Sequence, residues 1–435
     1  MVASWFSRGL ARVLLGLAVG NACGCAAPGA VPALPAPAGE IIVGWTPATT
    51  EPARAALRAS HGVRDTLRLV PGAERWQVAP DRVDAVLASL QAAPELRYAT
   101  PNASRKLVPP IDSAAVPELG AWRLLSTDGQ WHLEPVGFPE AWGSARGTGV
   151  IVAVIDSGVD PNHPDLKANL LPLIDEVTAM GRRDFVDGRS YDGKDSHGHG
   201  THVAGLIAAA QHAGYTVTGG APEARILPVK VTPLSGETDD ATIAKGIRDA
   251  VQAGARVLNL SIGGPDPSPV LLDALNFAML NGALPVIAAG NDGGKVNYPA
   301  AYSGVAAVGS VTETGAVASY SCRGEGLVVV APGGGQAGGR EGAPLYSTMP
   351  TYPAFGSSSA RAGNGYGTLA GTSMAAPLVS AAAALVFDRN PTFSPAQVRT
   401  RLAATTTERG RRGWQPASGY GLVRADVALS SDTTP

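Results

Sequence analysis

Five runs of apolar residues between residues 149 and 311 constrain this chain more than any other feature of its sequence. They read GVIVAVID, RILPVKV, RVLNLSI, LPVIAAG and GVAAVGSV, and amphipathic helical patterns separate the first four. Strands that are apolar throughout have both faces covered, which is typical of parallel sheets between layers of helices. The alternation therefore predicts an α/β fold with a mainly parallel sheet, flanked by helices and connected by right-handed crossovers.

Residues that could take part in catalysis or binding lie at the ends of three of these strands. Asp156 ends the first run, Ser261 lies near the end of the third, and Gly290 and Asn291 follow the fourth. Ligands of α/β proteins bind at the carboxyl ends of the strands. We therefore expect these residues to meet at one edge of the sheet.

Composition and charge limit the classes of function. The chain has 435 residues, enough for two or three domains, and 45% of them are hydrophobic, enough for a large core. Its 34 basic and 36 acidic residues leave a net charge of −2, which gives no electrostatic support for binding nucleic acid. Three cysteines cannot form a disulfide scaffold.

The first 27 residues have the pattern of a signal peptide. Arg8 and Arg12 precede an apolar run over residues 13–19, and small residues follow. Because a span of the bilayer needs roughly 20 apolar residues, the run is too short for a transmembrane helix. We expect an exported protein, extracellular or in the cell envelope. Cys23 and Cys25 leave open the alternative of a lipoprotein, in which a cysteine carries lipid after cleavage. We expect the protein at a membrane only if it has such a lipid anchor.

Three further segments follow the signal peptide. Residues 28–38 form a Pro/Ala-rich spacer, and residues 39–102 have a β-α-β-β-α-β pattern that predicts a small ferredoxin-like α+β domain. Residues 103–128 form a linker without clear periodicity, and residues 129–430 hold the α/β pattern described above. By itself, the small domain is compatible with many binding functions.

Three short motifs contain an acid, a base and a hydroxyl: Asp156 in VIDSGVD, His199 in HGHGTHVAG and Ser373 in GTSMAAP. Each has another interpretation when taken alone. A strand-terminal Asp often caps a turn, His197, His199 and His202 have a spacing that zinc ligands can use, and a serine before a helix is often its N-cap.

Together and in this order, the three motifs resemble those of the subtilisin-like serine peptidases, or subtilases. Subtilisin itself has this order of Asp, His and Ser. The resemblance implies that Ser373 is the nucleophile, His199 the base and Asp156 the residue that orients it, while Asn291 in VIAAGNDG stabilises the oxyanion. It also implies a monomeric endopeptidase of extended or unfolded polypeptides. Residues 39–102 would then be an inhibitory propeptide, removed by autocatalysis through the linker.

The same resemblance places the substrate groove. Its first wall is the segment that pairs with an extended substrate, and the other wall is the end of the fourth apolar strand. The residues of these two walls are Ser261, Ile262 and Gly263, and Ala288, Ala289 and Gly290. Asn297 stands at the base of the primary specificity pocket, for which we expect an apolar or aromatic preference.

Catalysis by this mechanism requires no cofactor, but subtilases commonly carry structural calcium. Asp165 matches one family ligand and Gln130 a second, whereas the loop after the catalytic helix lacks the expected asparagine. A separate acidic turn offers another possible ion site, although such turns are often simply solvated; its carboxylates are those of Asp184, Asp187, Asp192 and Asp195.

One alternative function belongs to another class. A chain with this fold and without the chemistry would be a catalytically silent binding scaffold. Scaffolds of that kind usually lose a triad residue or the oxyanion donor. All four are present in this sequence, which favours the enzyme.

Overall fold

The computed structural model describes residues 38–110, 130–180, 184–186, 189–211, 217–335, 342–355, 363–408 and 413–430. The predicted signal peptide, the spacer up to residue 37, Cys23, Cys25 and Asp187 lie outside these ranges. Across the described part of the chain, no helix combines the length and the hydropathy needed to cross a membrane.

The N-terminal part begins with a four-stranded antiparallel sheet of order β2-β3-β1-β4. This order and the succession of elements agree with the predicted ferredoxin-like pattern. The rings of Trp45 and Trp76 meet at a tilt of 51° in its core, with their centroids 5.7 Å apart, and Val86 and Leu90 of the second helix are buried beside them. The elements are β1 (Glu40–Trp45), α1 (Glu51–Ser60), β2 (Asp65–Val70), β3 (Ala73–Gln77), a 3₁₀ turn (Pro80–Arg82), α2 (Val83–Leu90), β4 (Leu96–Pro101) and β5 (Ser104–Leu107).

The C-terminal part contains the remaining elements. They are α3 (Leu133–Val136), α4 (Phe138–Ala141), β6 (Ile151–Asp156), β7 (Ile174–Asp175), α5 (Glu176–Ala179), β8 (Phe185–Val186), β9 (Arg189–Ser190), α6 (His199–Ala208), β10 (Arg225–Lys230), β11 (Glu237–Asp239), α7 (Asp240–Gln252), β12 (Val257–Leu260), β13 (Ile262–Gly263), α8 (Pro269–Leu280), β14 (Leu284–Ala288), β15 (Ala306–Val311), β16 (Leu327–Pro332), β17 (Leu345–Thr348), β18 (Tyr366–Leu369), α9 (Thr372–Arg389), α10 (Pro395–Ala404) and α11 (Ala425–Ser430).

A seven-stranded parallel sheet forms the centre of this part, in the order β16-β15-β14-β12-β6-β10-β7. Every residue of β12, β14, β15 and β16 is buried, as the apolar runs predict. The structure confirms the predicted α/β class. Because the strands are parallel, β6, β12 and β14 end at the same edge, which brings Asp156, Ser261 and Asn291 to one side of the sheet.

Helix α9 runs through the core, and 16 of its 18 residues are buried. Its sequence TSMAAPLVSAAAALVFDR is rich in alanine. Alanine has a high helix propensity and a short side chain, so the helix can pack closely against the strands that surround it. The first turn of α9 therefore has a fixed place beside the carboxyl ends of those strands.

Two segments without a periodic pattern nevertheless form strands. Within the predicted linker, β5 lies between β11 and β13 and makes a three-stranded sheet with them. The segment before Ser373, residues 333–367, is rich in Gly and Ser, a composition that predicts a mobile surface loop, yet β17 and β18 pair there as antiparallel strands. Ser347 and Thr348 of β17 are buried and donate hydrogen bonds to carbonyls of α6. The expectation of a surface loop is therefore wrong for this stretch.

The small antiparallel sheet packs on helices α7 and α8 of the larger part. The guanidinium of Arg97 donates two hydrogen bonds to the carboxylate of Asp273, at 2.9 and 2.6 Å, and the Tyr98 hydroxyl donates a third at 2.6 Å. Asn102 forms another connection, since its side chain bonds to both Glu40 and Asp239. These contacts hold the start of β5 beside the groove.

Candidate active site

Asp156 and His199 form a buried pair at the end of β6. The Nδ1 atom of His199 lies 2.8 and 3.0 Å from the two carboxylate oxygens of Asp156. Both side chains are fully buried. Burial disfavours the charged imidazole, but the charge of Asp156 and its hydrogen bond outweigh this effect, and the pKa of His199 is raised above its usual 6.5. Because Asp156 binds Nδ1, the opposite nitrogen, Nε2, is left to face the groove.

The sequence HGTHVAG allows the close approach that this pair needs. A Cβ atom on Gly200 would lie 2.1 Å from the carbonyl oxygen of Gly158 and 3.2 Å from Asp156. Any other residue would push the first turn of α6 away from the end of β6. The glycine after the histidine is therefore a requirement of the geometry.

Ser373 lies in the first turn of α9 and is fully buried. Pro377 follows four residues later and has no N–H to bond the Ser373 carbonyl. The hydroxyl of Ser261 approaches this free carbonyl at 3.4 Å. Ser261 of the predicted groove thus contacts the turn that holds the hydroxyl.

Asn291 is held with its amide nitrogen toward the groove. Its Oδ1 atom accepts hydrogen bonds from the backbone N–H of Thr372 at 2.9 Å and from the Thr372 hydroxyl at 2.8 Å. Because these two donors occupy the oxygen, the Nδ2 group is the free end of the amide. Gly371 leaves room for it, since a Cβ there would lie 2.7 Å from Nδ2.

The chain's own segment after Asn102 lies in the predicted groove. Leu107 pairs with Ile262 and Lys106 with Gly263 on one side, while Lys106 also pairs with Glu237 on the other. The backbone N–H of Leu107 donates to the Gly236 carbonyl, and that of Val108 to the Ser261 carbonyl, both at 2.8 Å. An extended segment bound on both edges is the arrangement of a peptide added to a sheet.

This segment continues directly over the hydroxyl and the amide. Ser373 Oγ donates to the Val108 carbonyl at 3.1 Å, and Asn291 Nδ2 donates to the Pro109 carbonyl at 2.8 Å. The Nε2 atom of His199 is buried and has no hydrogen-bond partner among the described residues. The hydroxyl therefore bonds to the bound segment and not to the imidazole.

The side chain of Val108 faces the predicted specificity pocket. A Cβ on Gly263 would lie 3.7 Å from Val108 Cγ2 and 3.6 Å from Asn297 Cβ, so the three residues meet there. The backbone N–H of Asn297 donates to the Ala289 carbonyl at 2.9 Å. This bond joins the pocket to the second predicted wall, which begins at Ala288 and continues through Gly290.

Comparisons with known proteins agree with this geometry. The subtilase family model matches residues 147–421. Subtilisin Savinase from Lederbergia lenta is 39% identical over 300 residues, which cover 68% of this chain and 97% of that protein. This chain belongs to the subtilase family. It is a serine endopeptidase with a subtilisin-like fold, and its substrates are polypeptides.

A second relative resembles this subtilase over a longer stretch. Fervidolysin from Fervidobacterium pennivorans is 35% identical over 368 residues, which are 77% of this chain and 50% of fervidolysin. The crystal structure of fervidolysin, described as a keratinolytic enzyme related to subtilisin, has a TM-score of 0.75 at 29% sequence identity. That likeness covers 92% of this chain and 62% of the fervidolysin chain.

The other two histidines of HGHGTHVAG, of which His197 lies outside the family's motif, have separate surroundings. His202 is buried, and its Nε2 lies 3.1 Å from the Leu345 carbonyl. The ring of His197 stands edge-on to that of His199 at 6.1 Å, and burial lowers its pKa to about 4. Among the described residues, no group of three or more His, Cys, Asp or Glu side chains is placed to hold a metal ion, so the zinc interpretation has no support.

Asp165 and Gln130, the two calcium ligands that the resemblance implies, do not make up a calcium site by themselves. One carboxylate oxygen of Asp165 accepts from Val217 N and the Tyr366 hydroxyl, and the other is buried without a partner. Gln130 uses its amide oxygen to accept from Thr218 N. Calcium takes six to eight oxygens, and these two side chains supply too few. Structural calcium stays a prediction.

The acidic turn is not simply solvated. Asp184 is buried and pairs with the buried ammonium of Lys230 at 2.9 Å. Asp195 is buried as well and accepts hydrogen bonds from Ser157, Thr201 and three backbone N–H groups. These two carboxylates stabilise the loop that leads to His199.

Sequence reasoning did not identify three features of the site. They are the segment in the groove, the part of Thr372 in orienting Asn291, and the buried pair between Arg105 and Asp240. GTSMAAP contained a signal for Thr372, since a hydroxyl residue precedes the serine. Arg105 and Asp240 are 135 residues apart, and no local pattern relates them.

Proposed function

We propose that this subtilase hydrolyses extended polypeptides with Asp156, His199 and Ser373 as its triad and Asn291 as oxyanion donor. One observation carries the proposal. An extended segment lies in the groove with one carbonyl at Ser373 Oγ and the next at Asn291 Nδ2. The buried pair of His199 and Asp156 lies at the start of α6, and α6 packs against α9, whose first turn holds Ser373. A hydroxyl, an imidazole held by a carboxylate and an amide donor are the groups that acyl transfer requires at one carbonyl.

The reaction assigns one role to each group. Ser373 Oγ attacks the carbonyl carbon of the substrate, and its proton passes to Nε2 of His199. The oxyanion that forms takes a hydrogen bond from Asn291 Nδ2 and another from the backbone N–H of Ser373. As the C–N bond breaks, His199 returns the proton to the leaving nitrogen. Water then attacks the acyl-enzyme, with His199 again as base.

We propose further that residues 39–102 are an inhibitory propeptide and that the segment after them blocks the groove. The contacts of β5 with β11 and β13 support this role, because a substrate would need the same backbone groups. The bonds of Asp273 to Arg97 and Tyr98 support it as well, since they hold the small sheet against the larger part. Autocatalytic removal within the predicted linker would then release an active enzyme.

Export completes the proposal. The first 27 residues have the charge and apolar pattern of a signal peptide, and an endopeptidase made with its own inhibitor is harmless until it has left the cytoplasm. The enzyme would act outside the cell or in its envelope, and would act at a membrane only if Cys23 or Cys25 carried lipid.

A fluorophosphonate reagent tests the nucleophile directly. We expect the matured enzyme to take up one label at Ser373, identified by peptide mass mapping, and to hydrolyse casein. Ser373→Ala should take up no label, and its kcat should fall by about 10⁶-fold, the loss known for a triad serine.

Ser261→Ala is the matched control, because this serine lies in the same groove. It should keep the label at Ser373 and most of the casein hydrolysis. Unchanged hydrolysis by Ser373→Ala, or a label that stays when Ser373 is replaced, would refute the proposed triad.

A further inference from the structure

The segment in the groove is bound in one register, which can be counted from the nucleophile. Val108 presents its carbonyl to Ser373 and its N–H to Ser261, so it occupies the place of the residue before the scissile bond, P1. Leu107, Lys106 and Arg105 are then P2, P3 and P4. This inference rests on the proposed function. On that basis, the contacts of these four residues indicate which side chains the enzyme prefers at P1 to P4 of a substrate.

The side chain of Arg105 fills a closed polar subsite. Its Nε donates to Asp240 Oδ1 at 2.7 Å, Nη2 lies 3.4 Å from Asp240 Oδ2, and Nη1 donates to the Asp266 carbonyl at 2.8 Å. Only 3% of the Arg105 side chain and 4% of the Asp240 side chain are exposed. Gly264 leaves room for the guanidinium, since a Cβ there would lie 2.9 Å from Nη1.

Asp240 has no comparable task in the fold of the larger part. The neighbouring Asp239 caps helix α7 by accepting from the N–H and the hydroxyl of Thr242. Asp240 has the Arg105 guanidinium and the side chain of Ser268 as its partners. Burial raises its pKa. When β5 leaves the groove, the carboxylate of Asp240 loses its cation and can pair with the guanidinium of another chain.

We propose that Asp240 is a specificity-determining residue that selects arginine at P4 of the substrate. The planar guanidinium fits this subsite because it can bond to a carboxylate and to a carbonyl at the same time. The other positions of the segment read differently. Lys106 at P3 is exposed and pairs with the half-buried Glu237, whereas Leu107 and Val108 are buried. The preferred substrate is therefore an extended polypeptide with Arg, any residue, Leu and Val before the cleaved bond.

Two fluorogenic tetrapeptides test the proposal on the matured enzyme that the full-length chain yields. Acetyl-Arg-Lys-Leu-Val-aminocoumarin and its partner with Gln in place of Arg differ only at P4. We expect kcat/KM of the wild-type enzyme to be about 10- to 100-fold higher for the arginine peptide, the range of a hydrogen-bonded charge. Asp240→Asn should lower kcat/KM for the arginine peptide and leave it nearly unchanged for the glutamine peptide, which also shows that the variant is folded.

Glu237→Gln is the control, because it removes a half-buried carboxylate next to P3 and should keep the preference for arginine. Equal kcat/KM for the two peptides in the wild-type enzyme overturns the proposal, and this comparison needs no variant. A preference that persists in Asp240→Asn overturns it as well. An enzyme that cleaves neither peptide nor casein and takes up no fluorophosphonate contradicts the proposed triad itself, and this inference with it.

Discussion

The imidazole of His199 is oriented by a carboxylate that the backbone also holds. Asp156 Oδ1 accepts the N–H of Ser157 at 2.7 Å in addition to bonding His199. The carboxylate therefore cannot turn away from the ring without losing a second hydrogen bond. This small network sets both the tautomer of His199 and the direction of its pKa shift.

The pH dependence of catalysis follows from that shift. If His199 is the base that we propose, it must be neutral, so we expect activity to fall as the pH drops through its pKa, which the pair with Asp156 raises above the usual 6.5. In Asp156→Asn the charge is gone while burial remains, so the acid limb of kcat/KM should move to lower pH. Its kcat should also fall about 10⁴-fold.

Glu223→Gln is the control for this pH profile, because Glu223 is distant from the groove and pairs with Arg146. It should leave both limb and rate unchanged. A limb that stays in place in Asp156→Asn would mean that Asp156 does not set the pKa of His199.

At the scale of elements, strand β5 fills the groove, and the peptide bond just beyond its end has two features that oppose cleavage. The peptide bond beside Ser373 joins Val108 to Pro109. The nitrogen of Pro109 belongs to the proline ring and has no hydrogen. In addition, Asn291 bonds to the Pro109 carbonyl and not to that of Val108. Asn291, the oxyanion donor that we propose, is thus occupied one residue beyond the carbonyl that the hydroxyl contacts.

We therefore expect that the enzyme does not cut its own chain after Val108. Pro109→Ala supplies an ordinary secondary amide and should allow cleavage there, detected as a new N-terminus at residue 109 by mass and terminal sequencing. Pro110→Ala keeps the protected bond and should show no such cut. A wild-type enzyme that begins at Pro109 would contradict this account.

The parts of the fold and of the site that can be predicted from the sequence depend on residues that are close together in the chain. Strands β6, β12 and β14 are apolar throughout, so their burial and their parallel pairing follow from composition alone. His199 and Ser373 lie in motifs whose glycines and small residues are required by close approaches, as Gly200 and Gly371 show. Such constraints leave a trace in a few neighbouring residues.

The rest depends on contacts between distant segments. Strand β5 has the sequence SRKL, with no alternation, and forms because β11 and β13 offer free edges on both sides. Strand β17 is buried because α6 accepts its hydroxyls. The local sequence does not identify the partners of β5 or of β17. It therefore predicts a linker for the first segment and a surface loop for the second.

For the molecule as a whole, one chain contains both an enzyme and a segment that fills its groove. The small sheet docks on α7 and α8, and β5 continues from it into the groove between β11 and β13. In the inhibitory role that we propose for the N-terminal part, activity requires release of that whole part and not a change in one residue. Its loss would remove the docking contacts and free Ser373, Asn291 and Asp240 together.

The intact mass of the full-length chain, followed over time for wild type and Ser373→Ala side by side, tests this account most directly. We predict that the wild-type chain loses a fragment that contains residues 39–102 and then begins to hydrolyse casein. Ser373→Ala should keep that fragment throughout. A wild-type chain that retains the fragment while it hydrolyses casein, or a Ser373→Ala chain shortened at the same rate, would contradict an enzyme that is blocked and released by its own chain.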